Sequence, residues 1–313
     1  MTASESKPSA QASRPLLMSL DDALAALLAH AEPIPATDSV ATMDADGRVL
    51  AQDVLSPLQV PPADNSSMDG YAVRSADLRA GDVELPVSQR IAAGATGAPL
   101  AAGSAARIFT GAQIPPGADA VVMQEDTAVA GEGRVRINVA APPGQWIRRA
   151  GEDVTLGARV LARGDRLTPA SVGMAACVGL AELFVAVRPK VALFSTGDEL
   201  VMPGEVAPSQ LKAGSIYNSN RFFLRALLKR LNCDVTDLGI VPDRRDATIA
   251  AIKETARGHD LILTSGGVSV GEEDHVKPAV EALGRLDLWQ IAMKPGKPFA
   301  YGTVGNNCHF IGL

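Results

Sequence analysis

The segment Thr264-Ser-Gly-Gly-Val-Ser-Val-Gly-Glu-Glu-Asp274 joins paired glycines to hydroxyls and then to acids. Gly266 and Gly267 can take positive φ angles that turn backbone N–H groups into a concavity, and such a concavity holds an oxyanion. Ser265 and Ser269 add hydroxyl donors. Two more loops carry acids, Ser195-Thr-Gly-Asp-Glu199 and Pro242-Asp243. Glu199, Asp243 and Asp274 therefore offer hard oxygen ligands, which suit Mg²⁺ held jointly with a phosphate. Met293-Lys-Pro-Gly-Lys-Pro298 presents Lys294 and Lys297 as point charges for an oxyanion. Taken singly, each is more often a plain βα turn, a helix start or a surface turn. The case for a site rests on all of them leaving the same edge of one sheet.

A second group lies earlier in the chain. Pro61 to Ala72 packs Asp64, Asn65, Ser66, Ser67 and Asp69 into one loop, and Asp69-Gly70 is a turn signal. Ile108 to Asp119 reads as a strand running into a Pro/Gly loop that carries Thr110. Trp146 to Asp153 sets Arg148 and Arg149 beside Glu152 and Asp153. An arginine pair can grip an oxyanion in fork geometry, and a solvated ion-pair face is equally common. No Ser-His-Asp or Cys-His arrangement is visible, and His30, His259, His275 and His309 show no metal-ligand spacing. The groups suit metal-assisted chemistry on an anionic substrate better than a covalent nucleophile.

The elements that must position these groups follow from periodicity. Ser19 caps a helix with Leu20, Ala23, Leu24, Leu27 and Leu28 on one face, ended by Pro33 and Pro35. From about 37 to 187, short apolar segments alternate with Gly/Pro turns and predict small β units. Beyond Pro189 the pattern becomes strand 191–195, helix 219–231, strand 235–241, helix 244–257, strand 261–264, helix 275–283 and strand 288–293. That alternation predicts βαβ units and a parallel sheet, whose ligands bind beyond the carboxyl ends of the strands. The fold class is thus a doubly wound α/β domain with additional elongated β-rich domains. Periodicity divides the chain into a disordered leader over 1–15, a helix over 16–36, a β-rich stretch and an α/β domain over 189–313.

Composition narrows the classes further. A formal charge of −6 over 313 residues argues against nucleic-acid binding, so any anion must be attracted by local basic groups. Cys177, Cys233 and Cys308 are far apart and odd in number, which points to a reducing, cytoplasmic setting. Glu182 interrupts the most apolar stretch, Gly173 to Val187, which is too short to span a bilayer.

At these motifs the chain closely resembles the MoeA family, which includes the E domain of gephyrin. The matching segments are Met18-Ser-Leu-Asp, Gly47-Arg-Val-Leu-Ala, Pro61 to Arg74, Phe109-Thr-Gly-Ala, Ala120 to Glu125, Arg148 to Asp153, Ala192 to Leu200, Ser265 to Glu272 and Lys294 to Phe299. The resemblance implies a Mg²⁺-dependent reaction in which adenylylated molybdopterin and molybdate become molybdenum cofactor with release of AMP. It implies a homodimer in which Asp69 comes from across the interface, and a neighbour in the molybdopterin adenylyltransferase. It further implies that the helix over 16–36 packs on the α/β domain and that the β-rich stretch splits into an elongated linker or dimer domain from 37–55 and 158–188 and a β-rich domain over 56–157. Matching family positions are Asp69, Thr110, Arg148, Asp153, Glu199, Asp243, Asp274 and Lys294. By that likeness Asp69, Asp153 and Glu199 are catalytic, and Asp243, Asp274 and Glu199 hold the metal. Arg148, Lys294 and Lys297 neutralise oxyanions, while Ser265, Gly266, Gly267, Ser269 and Thr110 bind substrate.

Two departures from the family pattern stand out. Gln290 occupies a position where the family commonly carries Lys, which removes one positive charge. The chain also stops at Leu313 just after a strand-like run, where family members continue through a Pro-Gly-Asn-Pro turn, a closing helix and a β-barrel domain. The expectation is a fragment with exposed apolar surface and a tendency to aggregate. Two rival readings are a molybdopterin adenylyltransferase, which would lack the β-rich half, and a non-catalytic dimeric scaffold of the same fold.

Overall fold

The computed structural model describes residues 17–78, 82–268, 275–294 and 297–313, with the backbone alone at Trp289. The expected leader, together with Ser269, Asp274 and the Pro-Gly centre of the lysine loop, lies outside the described residues. Contacts divide the chain into two units: Asp38–Val185, and Ala186–Leu313 joined by the residues before Asp38.

The second of these is the α/β unit, and its six strands are ordered Asp234–Val241, Lys190–Thr196, Leu261–Ser265, Cys308–Gly312, Ala300–Val304, Gly284–Trp289. Lys190–Thr196 is almost wholly buried because helices cover both of its faces. Val191 and Leu193 pack with Leu224 and Leu228 of the helix Ser219–Arg230. Ala192 and Phe194 face the other way, onto Ile252 of Arg245–Thr255 and Val276, Ala279 and Val280 of Val276–Leu283. Phe194 and Phe310 are fully enclosed in that core.

The sheet is mixed rather than wholly parallel. Ala300–Val304 runs antiparallel to both neighbours. Three residues join it to Cys308–Gly312, with Gly305 at φ 58° and Asn307 at φ 66°. A link that short can only form a hairpin. The neighbouring strand begins at Gly284, not at Leu288 as periodicity suggests, and residues 290–293 lie outside it. Gly284 fits because a Cβ there would lie 2.0 Å from the Thr303 carbonyl oxygen.

The leading helix spans Leu20–Ala29, and the Ser19 hydroxyl accepts the Asp22 N–H as expected. Its expected core face is only partly buried: Ala23 is enclosed, while Leu24 is 51 % and Leu28 64 % exposed. The segment is instead tied by its ends, through Ala292 N–H to Met18 O (2.8 Å) and the His30 ring 5.1 Å from Tyr301.

The unit Asp38–Val185 holds another six-stranded sheet, ordered Ala120–Met123, Gly70–Val73, Ala105–Ile108, Val83–Ile91, Arg134–Ile137, Thr127–Val129. Its two faces bury separate apolar sets, one around Val73, Leu85 and Ile137, the other around Ile91, Leu100 and Ile108. Leu50, Val54, Leu167, Leu183 and Val185 form a further core beside the helix Pro169–Cys177.

Candidate functional site

In the α/β unit the chemistry gathers at the carboxyl ends of Lys190–Thr196 and Leu261–Ser265, which pair in register with Ser195 opposite Ser265. A cavity of about 250 Å³ opens there, lined by Thr196, Glu199, Tyr217, Asn218, Ser219, Asn220, Ser265 and Gly266. Glu199 folds back over Gly197, where a Cβ would lie 2.4 Å from its Oε2. Glycine at 197, with φ 143°, is what lets this carboxylate return to the sheet edge. Asp243 reaches the same strand end, its Oδ1 accepting the Thr196 hydroxyl at 3.0 Å.

The Ser-Gly-Gly turn takes the backbone form expected of it, with Gly266 at φ 99° and Gly267 at φ 67°. A Cβ would lie 2.3 Å from Thr196 O at the first and 2.7 Å from Val276 Cγ2 at the second. The Gly266 amide differs from expectation, because its N–H donates to Leu313 O (3.0 Å) and is not offered to a ligand. Other donors stand in the same cavity. Asn220 Nδ2 donates to Ser265 Oγ at 3.0 Å, and Asn218 caps the helix Ser219–Arg230 by accepting the Arg221 N–H. Sequence reading missed these two asparagines. Their signal was Asn218-Ser-Asn220 at a helix start just after the strand-like Ile216-Tyr217.

Among the described residues, the buried side-chain atoms without a hydrogen-bond partner include Ser195 Oγ, Thr264 Oγ1 and Asn218 Nδ2. Ser195 and Thr264 sit at the carboxyl ends of adjacent central strands, and Asn218 lines the cavity beside them. Buried polar atoms are normally paired, so unpartnered ones gathered at one edge mark a place built for something else.

Lys294 and Lys297 follow the strand Gly284–Trp289, whose carboxyl end lies at this same edge. That strand is three positions from Leu261–Ser265, roughly 14 Å at the usual strand spacing. The lysines thus share the edge with Ser265 without lining its cavity. Both are exposed, and no carboxylate among the described residues pairs with either. Gln290, at the start of this loop, holds a left-handed φ of 68°.

The remaining predicted residues belong to Asp38–Val185. Asp69 Oδ1 accepts both the N–H (2.8 Å) and the hydroxyl (2.7 Å) of Thr110. The Thr110 N–H first, then its hydroxyl, hold the Asp69 carboxyl below the usual aspartate range, with a smaller push from the Arg107 charge. Arg148 is ion-paired with Asp153 and Glu152, and Arg149 with Asp64. Of the two expectations for the arginine pair, the ion-pair face is the one observed. An oxyanion at Arg148 would share the guanidinium with Asp153 and Glu152.

No group of three or more His, Cys, Asp or Glu placed to hold a metal occurs among the described residues. Glu199 and Asp243 bring two carboxylates to one edge, and Mg²⁺ commonly takes one or two, completing its shell with water and phosphate. The donor set fits that ion. Cys308 offers no nucleophile, since burial pushes its thiol up to about 11 and keeps it protonated.

A wider hollow, about 840 Å³, lies elsewhere. It opens at the amino ends of the strands, between Lys190, Lys253, Arg257 and Asp260. The histidine lining it, His259, has both ring nitrogens engaged, by Thr255 O and Thr236 Oγ1. Size favours this hollow, whereas glycine geometry, paired acids and unpartnered polar atoms favour the smaller cavity. Chemistry decides for the latter. No helix among the described residues is long and apolar enough to cross a membrane.

Comparison with known proteins bears on both units. The family model described as the MoeA N-terminal region (domain I and II) matches residues 18–179, and that described as a probable molybdopterin binding domain matches 192–313. A molybdopterin molybdenumtransferase of Haemophilus influenzae is 42 % identical over 95 % of this chain and 72 % of its own length. One from Synechococcus elongatus is 39 % identical over 92 % and 73 %. The crystal structure of a molybdopterin biosynthesis moeA protein from Pyrococcus horikoshii superposes with a TM-score of 0.81 at 29 % identity, covering 95 % of this chain and 74 % of that one.

Proposed function

The chain belongs to the molybdopterin molybdenumtransferase family, and from that premise we propose that its chemistry takes place at the carboxyl edge of the α/β sheet. It is a transferase of molybdenum cofactor biosynthesis. The finer reading is that adenylylated molybdopterin and molybdate react here to give molybdenum cofactor and AMP, in a cytoplasmic homodimer supplied by the adenylyltransferase. The observation that carries this reading is the cavity at Glu199 and Ser265, with the unpartnered Asn218 Nδ2 in its lining and those of Ser195 and Thr264 at the same strand ends.

Each residue has a task under that reading. Ser265, the Gly267 turn and the first turn of Ser219–Arg230 receive the phosphate end of the substrate, the helix start contributing its N–H groups and positive dipole end. Lys294 and Lys297, roughly 14 Å along the edge by strand spacing, hold molybdate as a second anion. Glu199 and Asp243, with Asp274, hold Mg²⁺, which when bound neutralises phosphate oxygens and eases departure of the nucleotide. Asp69, kept ionised by Thr110, orients the incoming oxyanion from the β-rich unit of a second copy, and Arg148 with Asp153 sits in that same unit. Ser269 remains assigned to the phosphate on the family likeness.

The test is incubation of the chain with adenylylated molybdopterin, molybdate and Mg²⁺, following AMP. Molybdate- and Mg²⁺-dependent AMP release supports the proposal, and chelation should abolish it. Molybdopterin adenylylation at the expense of ATP would favour the adenylyltransferase reading instead, against which the unit Asp38–Val185 already stands.

A further inference from the structure

Arg107 has entered so far only as a charge near Asp69, yet its guanidinium is held on several sides. Nη1 donates to Gly70 O at 3.0 Å and Nη2 to Gln124 Oε1 at 2.7 Å. Its Cζ lies 5.2 Å from the centroid of the Tyr71 ring and 4.7 Å from that of Phe109. Arg90 stands over the same Phe109 ring at 4.5 Å. Guanidinium groups attract aromatic faces, and the planar fork fixes direction as well as distance.

Each of these partners adjoins the Asp69–Thr110 pair. Gly70 and Tyr71 follow Asp69, and Phe109 precedes Thr110. Gln124 donates its own N–H to Asp69 O at 3.0 Å. Thr110 occupies Asp69 Oδ1 with two hydrogen bonds, so Oδ2 is left without a partner among the described residues. The direction of that free oxygen depends on how Gly70 and Phe109 are held, and Arg107 touches both.

We propose that Arg107 is a positioning residue, a clamp across Gly70, Tyr71, Phe109 and Gln124 that aims the free oxygen of Asp69. The inference rests on the reading of Asp69 as the carboxylate that meets substrate. Lysine would keep the charge but lose the fork and the two-sided stacking, so Arg107→Lys separates aiming from simple electrostatics. A displacement of about 1 Å can cost roughly 10²-fold in rate.

The experiment compares the parent chain with Arg107→Lys and Arg107→Met by thermal unfolding, hydrogen exchange at the Thr110 amide, and turnover of adenylylated molybdopterin. For Arg107→Lys the clamp predicts an unfolding midpoint within about 3 °C of the parent, a shift of no more than about 1 kcal/mol. Thr110 exchange should rise by about tenfold or more, and kcat should fall by about 10²-fold while KM stays within about threefold. Parental exchange at Thr110 in Arg107→Lys would overturn the proposal, whatever the turnover. So would equal losses in KM and kcat accompanied by a collapse of the unfolding midpoint in both variants. Asp69→Asn reads the premise separately: parental turnover there sinks the role of Asp69, and Thr110 exchange still decides the clamp.

Discussion

Gly267 combines a left-handed backbone with a wall 2.7 Å from where a Cβ would stand. Alanine there must strain φ and push Val276 aside, which should cost about 1–3 kcal/mol. Chemical denaturation of Gly267→Ala measures this, and a loss below about 0.5 kcal/mol would mean that the turn does not need glycine. Ser265, Glu199 and the two glycines were legible in the sequence because a loop leaving a buried strand has only one edge to emerge from. Asn218 and Asn220 were not, since Asn-Ser-Asn before an amphipathic stretch reads as an ordinary helix cap. The ion pairing of Arg148 was beyond sequence reasoning as well. Nothing in Arg148-Arg149 tells whether Asp153 and Asp64 or a ligand will pair with them.

Asp53, Asp64 and Asp69 extend the residue argument to pH. The leading influence on each is a backbone N–H, from Arg163, Ala150 and Thr110 respectively, and each holds its carboxyl below the usual aspartate value. A folded pKa below the unfolded one stabilises the fold above the unfolded value, and that stabilisation is lost as pH falls through the folded value. Protection factors of the Arg163, Ala150 and Thr110 amides should therefore hold steady down to about pH 3.9, the ordinary aspartate value, and drop below it. Protection that already declines between about pH 7 and pH 5 would contradict the assignment.

Elements were legible wherever burial on both faces wrote a continuous apolar run. Lys190–Thr196 and Leu261–Ser265 each lie within a residue or two of expectation, and so does Asp234–Val241, a half-exposed edge strand marked by its place in the βαβ rhythm. Ala300–Val304 and its hairpin were missed because Gly305-Asn306-Asn307 was not weighed as a turn signal, and βαβ rhythm alone implies only parallel neighbours. The leading helix shows the opposite limit. Its leucine stripe announces an amphipathic helix correctly, while periodicity says nothing about what meets the stripe, and Leu24 remains half exposed. At this scale Phe310→Ala is the informative change. The ring is fully buried in the core shared with Phe194, Ile262 and Val276, and its loss should cost about 3–5 kcal/mol in chemical unfolding. A cost under about 1 kcal/mol would mean that Cys308–Gly312 is not a core strand.

At the scale of the molecule, the cavity at the carboxyl edge is favoured by its chemistry and the hollow at the amino ends by its volume. The charge of −6 sharpens the choice, because an anionic substrate reaches the protein only where local donors outweigh a repelling field. Both hollows offer cations or dipoles, and Asp260 lines the wider one, but the carboxyl edge brings two acids, Glu199 and Asp243, as Mg²⁺ favours. Hydrogen exchange across the chain, with and without saturating molybdopterin, tests this most directly. The prediction is slowed exchange at residues 196–200, 218–220 and 265–268. Slowing confined to residues 253–260 around the larger hollow, with the carboxyl edge unchanged, would contradict the central claim.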